Sequence, residues 1–427
     1  MRIHKLKIPM LKICSVILML AMFAVNAAVS SREAEASNGN KQQGGSKGSA
    51  VSVPVMSGRV NNHVFHKGEM RGVWISYLTL DMSGTDRIEK AFKDKIDTII
   101  SQSSENGINT LIVHVRSHCD AIYKSKYFPY SHVISGTQGE DPGFDALEYI
   151  VSAAHKAGLE VHAWINPFRV KENKTPQKLS DDNPYMLYKN DDDASNDRYI
   201  VKWENGWYLN PAYSDVRELI INGVREIVSN YDVDGIHFDD YFYPTSDSRF
   251  DDEEYQAYLK SVDDSSLALT LGQWRNANVN SLVSGVYSAI KSIDSLVQFG
   301  ISPQGNMSND ENISADVKSW SQITGYVDYI CPQIYVSFDH PLLPFDKTCE
   351  EWRKLVENKN VKIYCGLALY KAGSDSDEGT WQGSNDVLKK EIEYMRECGY
   401  DGFMLYSWDY LECEQTVAEM KNLIKCL

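Results

Sequence analysis

Short apolar runs alternate with longer amphipathic stretches along most of this chain, and this alternation constrains the fold more than any other feature. Each run has the length and β-branched content of a strand, and each intervening stretch has the period of a helix. The strand-like runs lie at residues 70–78, 108–116, 159–166, 233–241, 297–303, 327–336, 361–370 and 400–408. Gly107 and Gly158 stand at helix-to-strand turns, where glycine is the expected helix stop.

Eight strand–helix units in series predict an α/β protein with a (β/α)8 TIM barrel, formed as a single domain by residues 64–427. A doubly wound open sheet is the alternative. That fold usually has a glycine-rich loop after its first strand, and residues 74–77 contain no glycine. Long loops are predicted at 169–207 and 244–277, after strands three and four, where they would wall the active-site face.

The N-terminus has the order of a secretory signal. Four basic residues in the first 12 positions precede an apolar run at 13–25, and Ala27 and Ala28 follow. We therefore expect residues 1–28 to be a signal peptide and the protein to be exported, either secreted or associated with the cell envelope. An uncleaved signal, acting as a transient membrane tether, is the alternative. Residues 29–63 are rich in Ser, Gly, Asn, Gln and Lys, which predicts a disordered linker.

Composition limits the classes of partner and ligand that the protein is expected to bind. A net charge of −16 argues against nucleic acid or an anionic membrane surface, because both require a basic face. Aromatic residues make up 11% of the chain, including 25 Tyr and 9 Trp. A neutral ligand fits this charge better, and the aromatic content exceeds what burial alone usually needs.

Adjacent carboxyl groups at the end of the fourth predicted strand are the candidate catalytic residues. In the run 235–241, Asp239 shares a face with His237 and Tyr241 and is expected to point into the barrel mouth. Asp240 falls on the other face, from which it either orients its neighbours or turns inward through a bulge. Glycosidic cleavage usually needs two carboxyl groups, one of them protonated. The alternative is that the pair caps the strand or binds Arg116 or Arg169.

Polar and aromatic residues at the other strand ends would then bind substrate, because active sites of such barrels form at the C-terminal ends of the strands. We predict contacts from Arg116, His162, Trp164, Asn166, His237, Tyr241, Gln304, Gln333, Tyr335, Trp408 and Asp409. Core packing is the alternative for each aromatic residue taken singly. Asp409, Asp339 and Asp120 are reserve candidates for a second carboxylate.

Histidines near strand ends suggest a metal-dependent hydrolase or deacetylase as a rival class. The candidates are His114, His118, His162 and His237, but their spacing matches no known ligand set. We predict that the protein has no metal and no cofactor. A serine hydrolase is disfavoured because residues 64–427, which form the predicted barrel, contain no GxSxG motif.

Several of these runs together resemble the bacterial glycosyl hydrolase-like 10 family. The runs are residues 69–75 (EMRGVWI), 162–169 (HAWINPFR), 207–211 (WYLNP), 234–241 (DGIHFDDY), 300–303 (GISP) and 329–335 (YICPQIY). The resemblance covers roughly residues 64–427. It implies a TIM barrel that hydrolyses cell-envelope glycans, some members being associated with peptidoglycan strands stripped of stem peptides.

The fourth-strand run is also similar to chitinase-type and amylase-type barrels, in which an Asp at the place of Asp239 is catalytic or adjacent to the catalytic residue. The chitinase pattern has Glu where this chain has Tyr241, and the amylase pattern has Glu near the place of Gln304. Because one glutamate of each pattern is missing, neither the chitinase mechanism nor the amylase mechanism can be assigned in full to this chain. Hydrolysis by Asp239 and Asp240 is the predicted function, and a non-catalytic glycan-binding barrel is the alternative.

Overall fold

Eight parallel strands close into a barrel in the computed structural model, which describes residues 62–427. The predicted signal peptide and all but the last two residues of the predicted linker lie outside the described residues. The prediction of a (β/α)8 barrel is confirmed, and each strand-like run of the sequence contributes one barrel strand.

The described residues form eleven strands. They are β1 (Met70–Ile75), β2 (Thr110–Arg116), β3 (Glu160–Ile165), β4 (Arg169–Glu172), β5 (Ile200–Trp203), β6 (Gly206–Leu209), β7 (Gly235–Phe238), β8 (Gln298–Ile301), β9 (Tyr329–Ile330), β10 (Lys362–Leu367) and β11 (Gly402–Leu405). The barrel order is β1-β11-β10-β9-β8-β7-β3-β2, and pairing of β1 with β11 closes it.

Helices cover the outside of the barrel and its connections. They are α1 (Tyr77–Leu80), α2 (Glu89–Glu105), α3 (His132–Ser135), α4 (Ala146–Lys156), α5 (Pro184–Asn190), α6 (Ser214–Asn230), α7 (Asp252–Ser261), α8 (Leu271–Ile293), α9 (Met307–Asn312), α10 (Val317–Gln322), α11 (Phe345–Leu355), α12 (Ser376–Gly379), α13 (Val387–Glu397) and α14 (Val417–Leu423). Within the described residues, no helix is both long and apolar enough to cross a membrane.

The long loops after the third and fourth barrel strands carry structure of their own. The first contains α5 and an antiparallel sheet of order β4-β6-β5, on which Trp207 packs against Tyr185 with ring centroids 4.3 Å apart. The second contains α7, and it ends where the side chains of Thr270 and Gln273 form a capping box that starts α8. The helix therefore begins inside the segment 244–277 that the sequence predicts as loop.

Two apolar cores follow from the alternation of side chains along the barrel strands. Val73 and Ile75 of β1 face outward into the larger core between the strands and the helices. Trp74 faces inward and joins a smaller cluster inside the barrel, with Trp164, Tyr329 and Met404 among its members.

Tyr329 fills the centre of the barrel because neighbouring strands make room for it. A side chain at Gly300 of β8 would place its Cβ 2.0 Å from two atoms of the Tyr329 ring. The Tyr329 hydroxyl lies 2.9 Å from Nδ1 of both His162 and His237, which are fully buried. These three side chains form a hydrogen-bonded layer that we call the barrel floor.

Gly300→Ala should destabilise the protein, because the added methyl group overlaps a ring held by two hydrogen bonds. We expect the free energy of unfolding to fall by about 1–3 kcal/mol, measured by urea denaturation. Gly272→Ala, in the first turn of α8, meets no atom within 4 Å and should raise it by about 0.5–1 kcal/mol. Equal stability of Gly300→Ala and the wild type would contradict this account of the floor.

Candidate active site

Asp239 and Asp240 line one cavity at the C-terminal mouth of the barrel. Asp239 follows β7 and is 3% exposed, whereas Asp240 is half-buried. The cavity has a volume of about 210 Å³, and we call it the aromatic cavity. Its lining residues are Trp74, Trp164, Asp239, Asp240, Tyr241, Ser302, Gln333, Tyr335, Tyr370 and Tyr406.

Three N–H groups donate hydrogen bonds to the Asp239 carboxyl. Trp164 Nε1 and Asn166 Nδ2 donate to Oδ2 at 2.9 and 3.2 Å, and the Tyr241 backbone N–H donates to Oδ1 at 3.2 Å. All three favour the charged form of the carboxyl. Oδ1, with its single long bond, is the oxygen with capacity left to carry a proton.

Burial and the neighbouring charge of Asp240 act in the opposite direction and are stronger. They raise the pKa of Asp239 to about 7, against the lowering effects of the Arg169 charge and the N–H donors. A buried carboxyl whose pKa lies near neutrality next to a second carboxyl is the arrangement that acid catalysis of glycosidic cleavage uses.

Asp240 occupies the more open side of the pair. Gln333 Nε2 donates to its Oδ1 at 3.2 Å, and burial raises the pKa of the Asp240 carboxyl against this bond. Of the two orientations expected for Asp240, the structure has the inward one, without a register shift in the pairing of β7. Asp240 lies beyond the last ladder residue of β7, Phe238, so the two-residue strand period no longer fixes its direction.

The ring of Trp164 is held in place by its register partner on the adjacent strand β2. It stacks on His114 with centroids 3.7 Å apart and 11° between the planes. Burial keeps the pKa of His114 well below its ordinary value, so this imidazole is neutral and packs as an uncharged ring. The stack fixes the direction in which the indole N–H points at Asp239.

A second cavity of about 320 Å³ adjoins the first and shares Asp240, Gln333 and Tyr335 with it. Its wall includes four side-chain amides, so we call it the amide cavity. The other lining residues are Gln304, Gly305, Asn306, Asn309, Ile334, Val336, Leu343 and Thr348. The cleft therefore has an aromatic half and an amide half, with the two carboxyl groups between them.

The structure brings together most of the predicted binding residues. Trp164, Tyr241, Gln304, Gln333 and Tyr335 all line the cleft. Asn166 is buried and bonds to Asp239, so it positions the carboxyl.

The prediction for Arg116 is wrong. A register shift between His114 and Arg116 adds a residue to β2, so Arg116 pairs with Ile165 and leaves the face that His114 occupies. Its guanidinium lies 4.2 Å from the ring centroid of Phe128, where a side chain at Gly223 of α6 would also clash with it. Arg116 is thus on the outside of the barrel.

Four further predicted contacts are corrected. His162 and His237 are fully buried in the barrel floor, beneath the cleft rather than in it. Trp408 and Asp409 line neither cavity. Asp409 instead accepts hydrogen bonds from the hydroxyls of Thr79 and Ser407.

Sequence reasoning missed three groups of the site. Asn306 caps α9, Asn309 lies in the first turn of that helix, and Tyr370 lies in a 3-10 turn after β10. All three follow the end of a barrel strand, where the two-residue period no longer identifies the residues that face the cleft. Asp310 is fully buried and accepts a bond from the Gln304 backbone N–H at 2.9 Å. Burial and the charge of Asp240 raise its pKa to about 8. Acidic residues in a first helical turn are common, so no signal distinguished it.

Metal-ligating side chains are not gathered anywhere in the part of the chain that the structure describes: residues 62–427 contain no group of three or more His, Cys, Asp or Glu that could hold an ion. The seven cysteines of the same part are free thiols.

Comparison with known proteins assigns the chain to a family. Residues 69–382 match the family described as glycosyl hydrolase-like 10. The chain belongs to this family. The prediction of a glycoside hydrolase is therefore confirmed at the level of the family, and the substrate is a separate question.

The chain is also similar to two curated relatives, which support the same assignment. It is 33% identical over 362 residues to the glycosyl hydrolase YngK of Bacillus subtilis, covering 80% of this chain and 67% of the relative. It is 32% identical over 390 residues to the glycosyl hydrolase DigH of Escherichia coli K12, covering 81% and 84%.

Solved structures match the fold of this family member at low identity. The glycoside hydrolase domain of PgaB (BpsB) from Bordetella bronchiseptica superposes with a TM-score of 0.56 at 10% identity, covering 84% of this chain and 98% of that domain. The catalytic domain of a β-amylase from Paenibacillus polymyxa gives 0.55 at 13% identity, with the same coverage. These likenesses show the fold alone.

Trp164→Phe should raise the pKa of Asp239 above about 7, because it removes an N–H donor that stabilises the charged carboxyl and keeps a ring to stack on His114. Carboxyl ¹³C NMR of Asp-labelled protein would report the titration. Trp203→Phe, in the β4-β6-β5 sheet, is the matched control. An unchanged or lower pKa in Trp164→Phe would contradict the role given to this bond.

Proposed function

We propose that this protein hydrolyses O-glycosidic bonds of an extracellular or cell-envelope glycan, with Asp239 as the proton donor. The main observation in support is that Asp239 is a buried carboxyl with a pKa of about 7, next to the Asp240 carboxyl in an aromatic-lined cleft. In this role Asp239 gives its proton to the leaving glycosidic oxygen as the bond to the anomeric carbon breaks. Water then adds to that carbon.

Asp240 serves as the charged partner of the pair. Two carboxyl groups side by side do not readily ionise together, so the proton that Asp239 retains leaves the negative charge on the more open Asp240. That charge stabilises the positive charge that develops on the sugar ring, or accepts the proton of the attacking water. The three N–H donors then stabilise Asp239 after its proton has left.

Several observations support an envelope glycan as the substrate. The aromatic cavity offers ring faces to the C–H faces of sugars, and the sequence predicts export. Peptidoglycan strands stripped of stem peptides are the first substrate to test, as the family resemblance implies. An uncleaved signal would place the enzyme on the membrane beside such a substrate.

Asp239→Asn should abolish hydrolysis and leave glycan binding, because the amide fills the same space and cannot supply the proton. We expect a loss of about 10²-fold or more in kcat, read as new saccharide products by mass spectrometry on intact and peptide-stripped peptidoglycan. Asp409→Asn, at a carboxyl outside both cavities, is the control and should retain activity. Saturable binding without products from the wild type would favour the non-catalytic glycan-binding barrel instead.

Activity of the wild type should fall as pH rises through about 7, because the proton required for bond cleavage is lost from Asp239 there. Above that point kcat should drop about tenfold for each pH unit. Because Trp164→Phe is expected to raise the pKa of Asp239, activity of this variant should begin to fall at a higher pH than activity of the wild type. A wild-type rate that stays flat from pH 6 to 9 would remove Asp239 from the role of acid.

A further inference from the structure

The amide cavity is a continuation of the cleft on the far side of Asp240 from most of the aromatic rings. It shares Asp240, Gln333 and Tyr335 with the aromatic cavity, so a chain of sugars crossing the carboxyl pair enters both halves. Its chemistry differs from that of the aromatic half. The ligand that the amide cavity can bind therefore depends on which amide atoms face the cavity.

Protein contacts fix the orientation of two of these amides. Asn306 caps α9 with its Oδ1, which accepts from the Ser308 backbone N–H at 3.1 Å. Gln333 Nε2 donates both to Asp240 Oδ1, at 3.2 Å, and to the Ser302 carbonyl, at 3.0 Å. Flipping either amide would place like groups against each other, so these contacts determine the assignment.

One donor and one acceptor remain available as a consequence. No hydrogen bond from another described residue reaches Asn306 Nδ2 or Gln333 Oε1, and both residues line the cavity. Gln333 Oε1 keeps some solvent-exposed surface, so a ligand can reach this atom. A free N–H donor and a free carbonyl acceptor in one cavity complement an amide group.

The remainder of the wall is apolar or neutral. Val336 and Leu343 provide aliphatic surface, and Asp240 is the one charged side chain among the lining residues. A ligand group with a methyl, a carbonyl and an N–H would use all of these features. A carboxylate-bearing substituent would meet the negative charge of Asp240 with no cation in the lining to balance it.

We propose that the amide cavity selects an uncharged sugar bearing an acetamido group. The acetamido carbonyl accepts from Asn306 Nδ2, its N–H donates to Gln333 Oε1, and its methyl packs toward Val336 and Leu343. This inference rests on the proposed function in that a glycan must occupy the cleft. It adds that the acetamido sugar lies on the Asp240 side of the bond that is cleaved.

Two β-1,4 hexasaccharides separate this specificity from general glycan binding. Chitohexaose carries an acetamido group on each sugar, and cellohexaose carries a hydroxyl at the same carbon. Isothermal titration calorimetry on the full chain with Asp239→Asn, which prevents turnover, would compare their affinities. We expect chitohexaose to bind at least about tenfold more tightly, since a site that hydrogen-bonds a substrate group discriminates against a ligand that lacks this group.

Asn306→Ser tests the donor without adding charge. The serine hydroxyl can still cap α9, whereas the amide donor is lost. We expect chitohexaose affinity to fall about tenfold and cellohexaose affinity to change less than twofold. Asn312→Ser, an exposed position of the same short helix outside the cavity, should alter neither.

Equal affinity for the two hexamers, binding of neither, or an equal loss of both affinities in Asn306→Ser would overturn the proposal. Turnover by the wild type is scored separately. Glycan products with equal hexamer affinities would keep the proposed hydrolysis and reject the acetamido site. A chitohexaose preference without products from any glycan would keep the site and reject the proposed hydrolysis.

Discussion

Closure of the sheet is the constraint on which the rest of this structure depends. Once β1 pairs with β11, the inward-facing side chains share a fixed space that they must fill without voids. Gly235 and Gly300 leave that space to His162 and Tyr329, whose hydrogen bonds make the barrel floor. The cleft begins above the floor, so the size of residues far from the carboxyl pair determines its depth.

The sequence predicted the barrel because eight strand-like runs alternate with helical stretches, and within each run the two-residue period predicts which side chains face inward. That pattern also places Asp239 in the mouth. It fails where hydrogen-bonded pairing is interrupted: the bulge in β2 turns Arg116 outward, and the end of β7 at Phe238 frees Asp240 to face the cleft. Both departures from the period arise at strand ends, where the ladder no longer dictates side-chain direction.

The amide half of the cleft could not be predicted for a different reason. Asn306 and Asn309 belong to a connection after β8, and their placement depends on tertiary contacts rather than on local period. One such contact is the bond from Trp352 Nε1 to the Gly305 carbonyl, at 2.8 Å. Another is the close approach of Gly305 to the backbone of Gln333: a Cβ at Gly305 would lie 2.4 Å from the Gln333 backbone carbonyl oxygen. Loops that carry function are positioned by the scaffold around them.

The proton affinity of Asp239 results from two opposing effects that the fold holds at fixed strength. Burial and the charge of Asp240 raise the pKa of this carboxyl. The charge of Arg169 and the N–H donors lower it, and the result is a pKa of about 7. The balance requires that the donors stay in place when the charge changes, and the stacking of Trp164 on His114 supplies that rigidity. A donor free to rotate away would stabilise the carboxylate only after reorganising. In the proposed role of Asp239 as the acid, the packed ring would therefore lower the cost of proton transfer.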